Sequence, residues 1–293
     1  MSFDSKSFDK ILWEKGVGET CLYDSLFSTQ REKGVDIPLN IGWTVSLEKG
    51  NDLGWSSREA VYKALSLSML MAKNAFPNSK LFLCVDDTTK EELKNVVLPE
   101  FTFLQIERNV TDLWSTLKLQ AYKKLDDLEG GFLHIDLDVF LGAGIGRFLN
   151  ADIMLQHTEA VNEEDYCVYQ KEELEFAGYT FKYKPMNFGF FLCKNGLPKE
   201  ARGYIENMNE IIFADTGSLD RRKLNVCIEQ AAFREMLGEV KGLIETDNQD
   251  IALATGVGVD AICNYIGYTH LYAGSKQKYE HIIDELLSRW VWH

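Results

Sequence analysis

The spacing of apolar residues along this chain changes repeatedly between two periods, which predict strands and helices in turn. Short apolar runs predict strands at 39–47, 80–86, 102–107 and 131–136. Between them, 56–76 and about 112–126 carry apolar residues at helical spacing, and Ser56 with Glu59 predicts a capping box at the start of the first helix. Strands that alternate with helices predict an α/β fold, with a mostly parallel central sheet flanked by helices.

The second half of the chain extends this pattern. We expect further strands at about 165–170 and 187–193, and helices near 199–212, 219–237 and 277–290. No internal repeat, low-complexity segment or linker interrupts the sequence. We therefore expect residues 39–293 to form a single domain, and residues 1–38 to be an N-terminal extension packed on it.

The apolar run GFLHIDLDVFL at 131–141 contains two acidic residues, Asp136 and Asp138. In an extended segment alternate side chains share a face, so both carboxylates would point the same way while Leu137 points into the protein. Two such carboxylates at the end of a buried strand repel each other unless a cation lies between them. The pair therefore predicts a divalent metal site, and the structural alternative is an Asp that caps a helix or closes a turn.

Composition and charge exclude several functions. The net charge of −14 argues against binding to a nucleic acid backbone, which depends on clustered Lys and Arg. The 6 cysteines are scattered without a CxxC pair, so we expect neither a zinc knuckle nor a disulfide framework. No apolar stretch approaches the roughly 20 residues of a membrane span, and the N-terminus lacks the apolar core of a signal peptide. We expect a cytoplasmic protein without a transmembrane segment.

Several familiar motifs are absent from the sequence. It contains no GxxxxGK[ST], HExxH or GxSxG motif. The glycines of GAGIG at 142–146 are followed by Arg147, where a dinucleotide-binding fingerprint needs its last glycine. We expect these glycines to form a flexible turn after the aspartates.

Five segments occur in an order that resembles the retaining glycosyltransferases of the GT-A fold, especially family eight, which includes glycogenin and bacterial lipopolysaccharide galactosyltransferases. The segments are TLKLQAYKKL at 116–125, HIDLD at 134–138, MNFGFFLCKNG at 186–196, NVCIEQAAF at 225–233 and THLYAGSKQKY at 269–279. This resemblance implies a single glycosyltransferase-like domain with a GT-A-type, Rossmann-like central sheet and a smaller second sheet region.

The resemblance implies roles for residues around a sugar donor. Lys118 matches the family's basic residue that helps to hold the nucleotide-sugar, and Asn187 and Gly189 would lie by the donor sugar. Asn offers a donor and an acceptor to sugar hydroxyls, and Gly lets the backbone approach closely. Glu229 and Gln230 occupy the places of the family's catalytic Asp-Gln pair, with Glu in place of Asp.

The resemblance also implies a metal and diphosphate site. Asp136 and Asp138 match the metal-binding D-x-D, and His270 matches the histidine that completes the metal site. Gly274 and Lys276 would meet the diphosphate, although the glycine is displaced by one position and the family's following Pro-Trp is absent. Mn²⁺ suits two carboxylates with an imidazole, and Mg²⁺ is the second candidate.

A nucleotide-binding loop is the last part of the resemblance. Asn51 and Asp52 correspond to the family's Asn-Asp, and Trp55 is available to stack on a base. The expected activity is transfer of a hexose from a UDP-sugar, UDP-glucose or UDP-galactose, to a hydroxyl of a glycan or another acceptor. Retention of configuration is implied by the family alone.

Two other functions stay open. Phosphatases of the haloacid dehalogenase type carry D-x-D-x-[TV], but Phe140 stands where that pattern needs Thr or Val. The acidic residues Asp247 and Asp250 keep this alternative open. The other alternative is a non-catalytic protein that binds a nucleotide-sugar or a glycan.

Overall fold

In the part of the chain that the structure describes, ten strands in two sheets position the candidate residues. The computed structural model describes residues 36–47, 53–107, 113–158, 182–208, 225–243, 259–262, 268–271 and 275–290. Its strands are β1 Asn40–Val45, β2 Lys80–Val85, β3 Thr102–Gln105, β4 Phe132–Ile135, β5 Val139–Leu141, β6 Ile153–Leu155, β7 Phe190–Cys193, β8 Lys241–Gly242, β9 Val259–Ile262 and β10 Tyr268–Leu271.

The larger sheet has seven strands in the order β3-β2-β1-β4-β7-β6-β8. Strand β7 pairs antiparallel with both β4 and β6, and the other pairs are parallel. A second sheet contains three antiparallel strands in the order β5-β10-β9. The prediction of an α/β fold with a mostly parallel central sheet and a smaller second sheet is confirmed.

Helices connect and cover these strands. They are α1 Arg58–Ala75, α2 Asp87–Leu93, α3 Trp114–Asp126, α4 Lys199–Glu206, α5 Arg234–Met236 and α6 Ser275–Trp290, with a 3-10 helix at Ala143–Phe148 and a π-helix at Cys227–Phe233. The 3-10 helix stands where we expected a flexible turn. None of the helices described here has the length and apolar character needed to cross a membrane.

Several predicted segments lie outside the described residues. The strand expected at 165–170 is one of them, as are parts of the helices expected at 199–212 and 219–237. Residues 1–35 also lie outside, so the packing of the N-terminal extension stays a prediction.

Helix α1 begins one residue later than the predicted capping box requires. Ser57 is the N-cap, and its hydroxyl accepts a hydrogen bond from the backbone N–H of Ala60 at 3.2 Å. The backbone N–H of Ser56 instead donates to Glu280 on α6 at 2.7 Å. Glu59 pairs with Lys63 at 2.8 Å. The Ser56–Glu59 capping box was therefore wrong, because a contact from a distant helix uses Ser56.

The central sheet is buried on both faces. Ile41, Trp43 and Val45 of β1 point into an apolar cluster with α1 and α6. Gly42 points to the opposite face, where α3 covers the sheet. A Cβ built on Gly42 would lie 2.5 Å from Leu125 Cδ1, so the close approach of α3 to β1 requires glycine.

We expect Gly42→Ala to destabilise the fold by about 1–3 kcal/mol, because the fully buried side chain of Leu125 would have to shift within the core. Gly203→Ala is the matched control, since a Cβ there meets no atom within 4 Å and Ala favours helix α4 by about 0.5–1 kcal/mol. Urea unfolding measures both free energies. Equal stability of the two variants would contradict the packing described here.

Candidate active site

The two aspartates lie in a tight turn between the two sheets. Strand β4 ends at Ile135, and the N–H of Val139 donates to the carbonyl of Asp136 at 3.0 Å. The N–H of Asp136 donates to the carbonyl of Gly189 at 3.0 Å. The expectation of an extended segment was therefore wrong. The carboxylates of Asp136 and Asp138 nevertheless converge, because the turn folds them toward one point.

His270 reaches this turn from the end of the chain. Strand β10 pairs with β5 so that His270 lies opposite Val139, and the N–H of Leu271 donates to the carbonyl of Asp138 at 2.9 Å. His270 Nε2 consequently lies 3.4 Å from Asp138 Oδ1. One ligand atom from each of Asp136, Asp138 and His270 lies within 4.8 Å of the others. Two carboxylates and an imidazole fit a divalent cation such as Mn²⁺ or Mg²⁺.

Lys276 on the first turn of α6 lies beside the same cluster. Its Nζ is 2.7 Å from Asp138 Oδ2 and donates to the carbonyl of Leu53 at 2.9 Å. Burial alone would raise the pKa of Asp138, but the charge of Lys276 and the contact with His270 outweigh this and lower the pKa below its ordinary value. Asp138 is therefore held ionised, as a cation ligand needs to be.

Lys118 on α3 is buried, unlike an ordinary helix-surface lysine, with 5% of its surface exposed. Its Nζ is 2.9 Å from Asp136 Oδ1 and 2.9 Å from Glu229 Oε1. It also lies 5.1 Å from the centre of the Trp114 ring. Burial acts to lower the pKa of Lys118, but the two carboxylates outweigh it and raise the pKa. A charged Lys118 therefore links the aspartate turn to the π-helix.

Glu229 on the π-helix is fully buried. The hydroxyl of Tyr122, which lies on α3, donates a hydrogen bond to its carboxylate. Burial raises the pKa of Glu229, and the charge of Lys118 opposes that rise. In this position Glu229 is the counter-ion that holds Lys118 against Asp136, and its catalytic role stays a prediction.

The remaining residues that match the family, Asn187, Gly189 and Gln230, lie in two neighbouring segments. The N–H of Gly189 donates to Asn187 Oδ1 at 2.7 Å, which fixes the amide in a tight loop. The N–H of Met186 donates to the carbonyl of Gln230 at 3.0 Å, so the N-x-G and E-Q segments lie side by side. Their contacts with a donor sugar stay predictions.

The structure describes only part of the predicted nucleotide site. Gly274, Asn51 and Asp52 lie outside the described residues. Trp55 is 4% exposed, and Lys276 Nζ lies 5.9 Å from its ring centre. The indole is thus covered in this arrangement, and its stacking on a base stays a prediction.

Sequence reasoning missed two residues that contact the site. Gln156 Oε1 lies 3.0 Å from His270 Nδ1, and Tyr122 binds Glu229. Gln156 directly follows the apolar run 153–155, and Tyr122 lies one helical turn after Lys118 on the same face. These positions indicate that Gln156 and Tyr122 lie near the edge of the sheet, but nothing in the sequence identifies His270 and Glu229 as their partners.

Comparisons with known proteins give a family and several distant structural similarities. A family model described as "Family of unknown function (DUF6734)" matches residues 43–291. A search of curated proteins finds no match.

Three solved structures illustrate the structural similarity. The galactosyltransferase LgtC in complex with donor and acceptor sugar analogs has a TM-score of 0.45 at 11% identity, covering 86% of this chain and 96% of its own. For a 4-diphosphocytidyl-2C-methyl-D-erythritol synthase from Anaerococcus prevotii DSM 20548, the TM-score is 0.36 at 9% identity, with 70% and 88% covered. For mouse xyloside xylosyltransferase 1 in its apo form, it is 0.35 at 11% identity, with 69% and 82% covered. Because all three TM-scores are below 0.5, a functional assignment has to come from the residues of the site.

We expect Lys118→Met to destabilise the protein by about 3–5 kcal/mol, because it leaves the buried carboxylate of Glu229 without its counter-ion. The double variant Lys118→Met/Glu229→Gln should recover part of this loss, since the uncompensated charge is then removed. Urea unfolding of the two variants measures the difference.

Lys123→Met on the same helix is the control for this pair. Lys123 forms a half-exposed ion pair with Glu206 at 3.0 Å, so its loss should cost about 0–1 kcal/mol. If Lys118→Met were no more destabilising than Lys123→Met, the buried pair would not be holding α3 to the site.

Proposed function

We propose that this chain, which belongs to the DUF6734 family, is a metal-dependent glycosyltransferase that moves a hexose from a UDP-sugar, UDP-glucose or UDP-galactose, to an acceptor hydroxyl with retention. The observation that carries the proposal is the convergence of Asp136, Asp138 and His270, whose ligand atoms lie within 4.8 Å of one another. They meet beyond the carboxyl end of β4, and ligands of open α/β sheets bind at that edge. A glycan or another hydroxyl compound would be the acceptor.

The three converging residues would hold the cation, Mn²⁺ or Mg²⁺. When bound, such a cation supplies a Lewis acid for the departing nucleoside diphosphate. Asp138 is prepared for this role because neighbouring positive charge keeps it ionised. His270 adds the imidazole ligand, which favours Mn²⁺ over Mg²⁺.

Positive charge beside the cluster supports a diphosphate substrate. Lys276 Nζ lies 2.7 Å from Asp138 Oδ2, at the border of the cluster, and would hold phosphate oxygens together with the backbone at Gly274. Charge placed where the leaving group becomes more negative lowers the barrier to its departure. Lys118 adds a buried positive charge 2.9 Å from Asp136 Oδ1.

Polar groups next to the cluster would orient the donor sugar. The N-x-G segment with Asn187 and the π-helix with Gln230 lie side by side, and both side chains are only partly buried. Their amides provide donors and acceptors for sugar hydroxyls. We assign the sugar contacts to Asn187, Gly189 and Gln230. The ion pair between Glu229 and Lys118 would hold the π-helix, and with it Gln230, in place.

The two alternatives have less support. A phosphatase of the haloacid dehalogenase type uses the first Asp of its motif as nucleophile, whereas Asp136 is paired with Lys118 here. Phe140 is fully buried in the smaller sheet, and Asp247 and Asp250 lie outside the described residues. A binding protein without turnover would share the same cluster, so measurement of UDP release distinguishes it from an enzyme.

We expect slow release of UDP from UDP-glucose or UDP-galactose that stops with EDTA and returns with Mn²⁺. Asp138→Asn should abolish release, because it removes an ionised ligand. UDP should raise the unfolding temperature only when Mn²⁺ is present, by the equivalent of about 2.7 kcal/mol at 100 times its Kd. A coupled UDP assay and a thermal-shift titration measure these effects.

Asp284→Asn is the control for this substitution. Asp284 lies exposed on α6, where it pairs with Lys63 of α1, so its substitution should leave UDP release unchanged. Undiminished release in EDTA would contradict the metal site. Phosphate release from sugar phosphates, without UDP release, would favour the phosphatase. Stabilisation by UDP-sugars without any release would favour the binding protein.

We expect Lys276→Ala to weaken binding of UDP by tenfold or more and to leave binding of uridine unchanged, because the lost charge faces phosphate. A charge-assisted hydrogen bond contributes about 1.5–3 kcal/mol. Lys278→Ala on the same helix is the control, because Lys278 is exposed and its Nζ lies over the Tyr279 ring at 4.9 Å. Calorimetry in Mn²⁺ measures both ligands. Equal losses for UDP and uridine would place Lys276 outside the diphosphate site.

A further inference from the structure

We propose that Gln156 is a positioning residue that keeps the proton of the His270 imidazole on Nδ1 and thereby directs the Nε2 lone pair toward the cation site. Gly189 contributes to this arrangement because its lack of a side chain leaves room for the contact between Gln156 and His270. The inference rests on the proposed function only in taking Asp136, Asp138 and His270 as a cation site.

The contact between Gln156 and His270 is close and buried. Gln156 Oε1 lies 3.0 Å from His270 Nδ1, and both side chains are buried, with residue exposures of 0% and 4%. A carbonyl oxygen only accepts hydrogen bonds, so a ring nitrogen facing it must carry a proton. A neutral imidazole has one proton, so Nε2 is then the bare nitrogen. That atom faces Asp138 Oδ1 at 3.4 Å.

Backbone contacts fix the position of Gln156 beside β7. Gln156 follows directly after β6, whose residue Leu155 pairs with Phe191 of β7. The N–H of Gln156 donates to the carbonyl of Asn187 at 3.1 Å. Histidine ligands of metals generally donate their second N–H to such an acceptor, which fixes both the tautomer and the ring plane.

Gly189 provides the space for this hydrogen bond. A Cβ built there would lie 2.4 Å from Gln156 Oε1 and 2.7 Å from His270 Cε1. The φ of Gly189 is not in the left-handed region, so the position needs glycine for its small size and not for its backbone freedom. Any larger residue would separate Gln156 from His270.

The opposite arrangement makes a different prediction. If the amide of Gln156 were reversed, its N–H would donate to Nδ1 and the ring proton would lie on Nε2, facing Asp138. His270 would then be a hydrogen-bond donor to Asp138 and not a cation ligand. The position of one proton therefore distinguishes a metal ligand from a structural histidine.

The substitution experiment measures Mn²⁺ affinity with and without UDP, from the electron paramagnetic resonance signal of free Mn²⁺. Gln156→Leu should raise the Kd about 10–100-fold, the effect expected for losing an outer-shell partner. Gln156→Glu keeps an acceptor opposite Nδ1 and should bind Mn²⁺ at least as tightly as the wild type. Gly189→Ala should weaken binding like Gln156→Leu.

Asn40→Leu is the matched control. Asn40 is a buried amide at the amino end of β1, far from the carboxyl edge, and donates to the carbonyl of Glu129 at 3.0 Å. It should lower the unfolding temperature without changing the Kd for Mn²⁺. Unchanged Mn²⁺ affinity in folded Gln156→Leu would overturn the inference, as would equal losses of Mn²⁺ affinity in Gln156→Leu and Gln156→Glu. A wild type that binds no Mn²⁺, with or without UDP, would also overturn it.

A measurement on the wild type keeps the inference testable if the variants do not fold. Nitrogen-15 spectra of histidine-labelled protein, with diamagnetic Cd²⁺ as the probe, should show a proton on Nδ1 and a cation-dependent shift at Nε2 of His270. A proton on Nε2, or no response to Cd²⁺, would overturn the inference. Absence of UDP release with these signals intact would instead count against the proposed function alone.

Discussion

The burial of Lys118 between Asp136 and Glu229 is the interaction on which the site depends. It joins helix α3, the turn after β4 and the π-helix through one ammonium group, with 2.9 Å to a carboxylate on either side. A buried charge is costly without such partners, so the three elements must be placed together for the fold to be stable. The close contact between Leu125 and Gly42 also holds α3 against β1.

Much of the fold could be predicted because its signals are local. The strand expected at 80–86 depends on neighbours in sequence, and it is present at Lys80–Val85. Asp136 and Asp138 converge as expected, but through a turn and not through an extended segment. The cap of α1 was misplaced because Glu280, a residue from the other end of the chain, binds Ser56. Gln156 was missed for a similar reason, since only the packing of β6 and β10 against the same turn gives it a partner.

The charges of the site are arranged as two separate pairs around one turn. Lys118 neutralises Asp136 from the buried side, and Lys276 neutralises Asp138 from the side of α6. The two lysines therefore have different surroundings. Lys118 is held by Glu229, which Tyr122 also contacts, whereas the Lys276 side chain pairs with Asp138 and keeps 15% of its surface exposed.

The two oxygens of Asp138 extend this division to single atoms. Oδ1 faces the His270 ring at 3.4 Å, and Oδ2 contacts Lys276 at 2.7 Å. One carboxylate can therefore serve a cation on the histidine side while it keeps its ion pair on the lysine side. Because Oδ1 and Oδ2 belong to one carboxylate, the positive charge of Lys276 stays beside the converging ligand atoms of Asp136, Asp138 and His270.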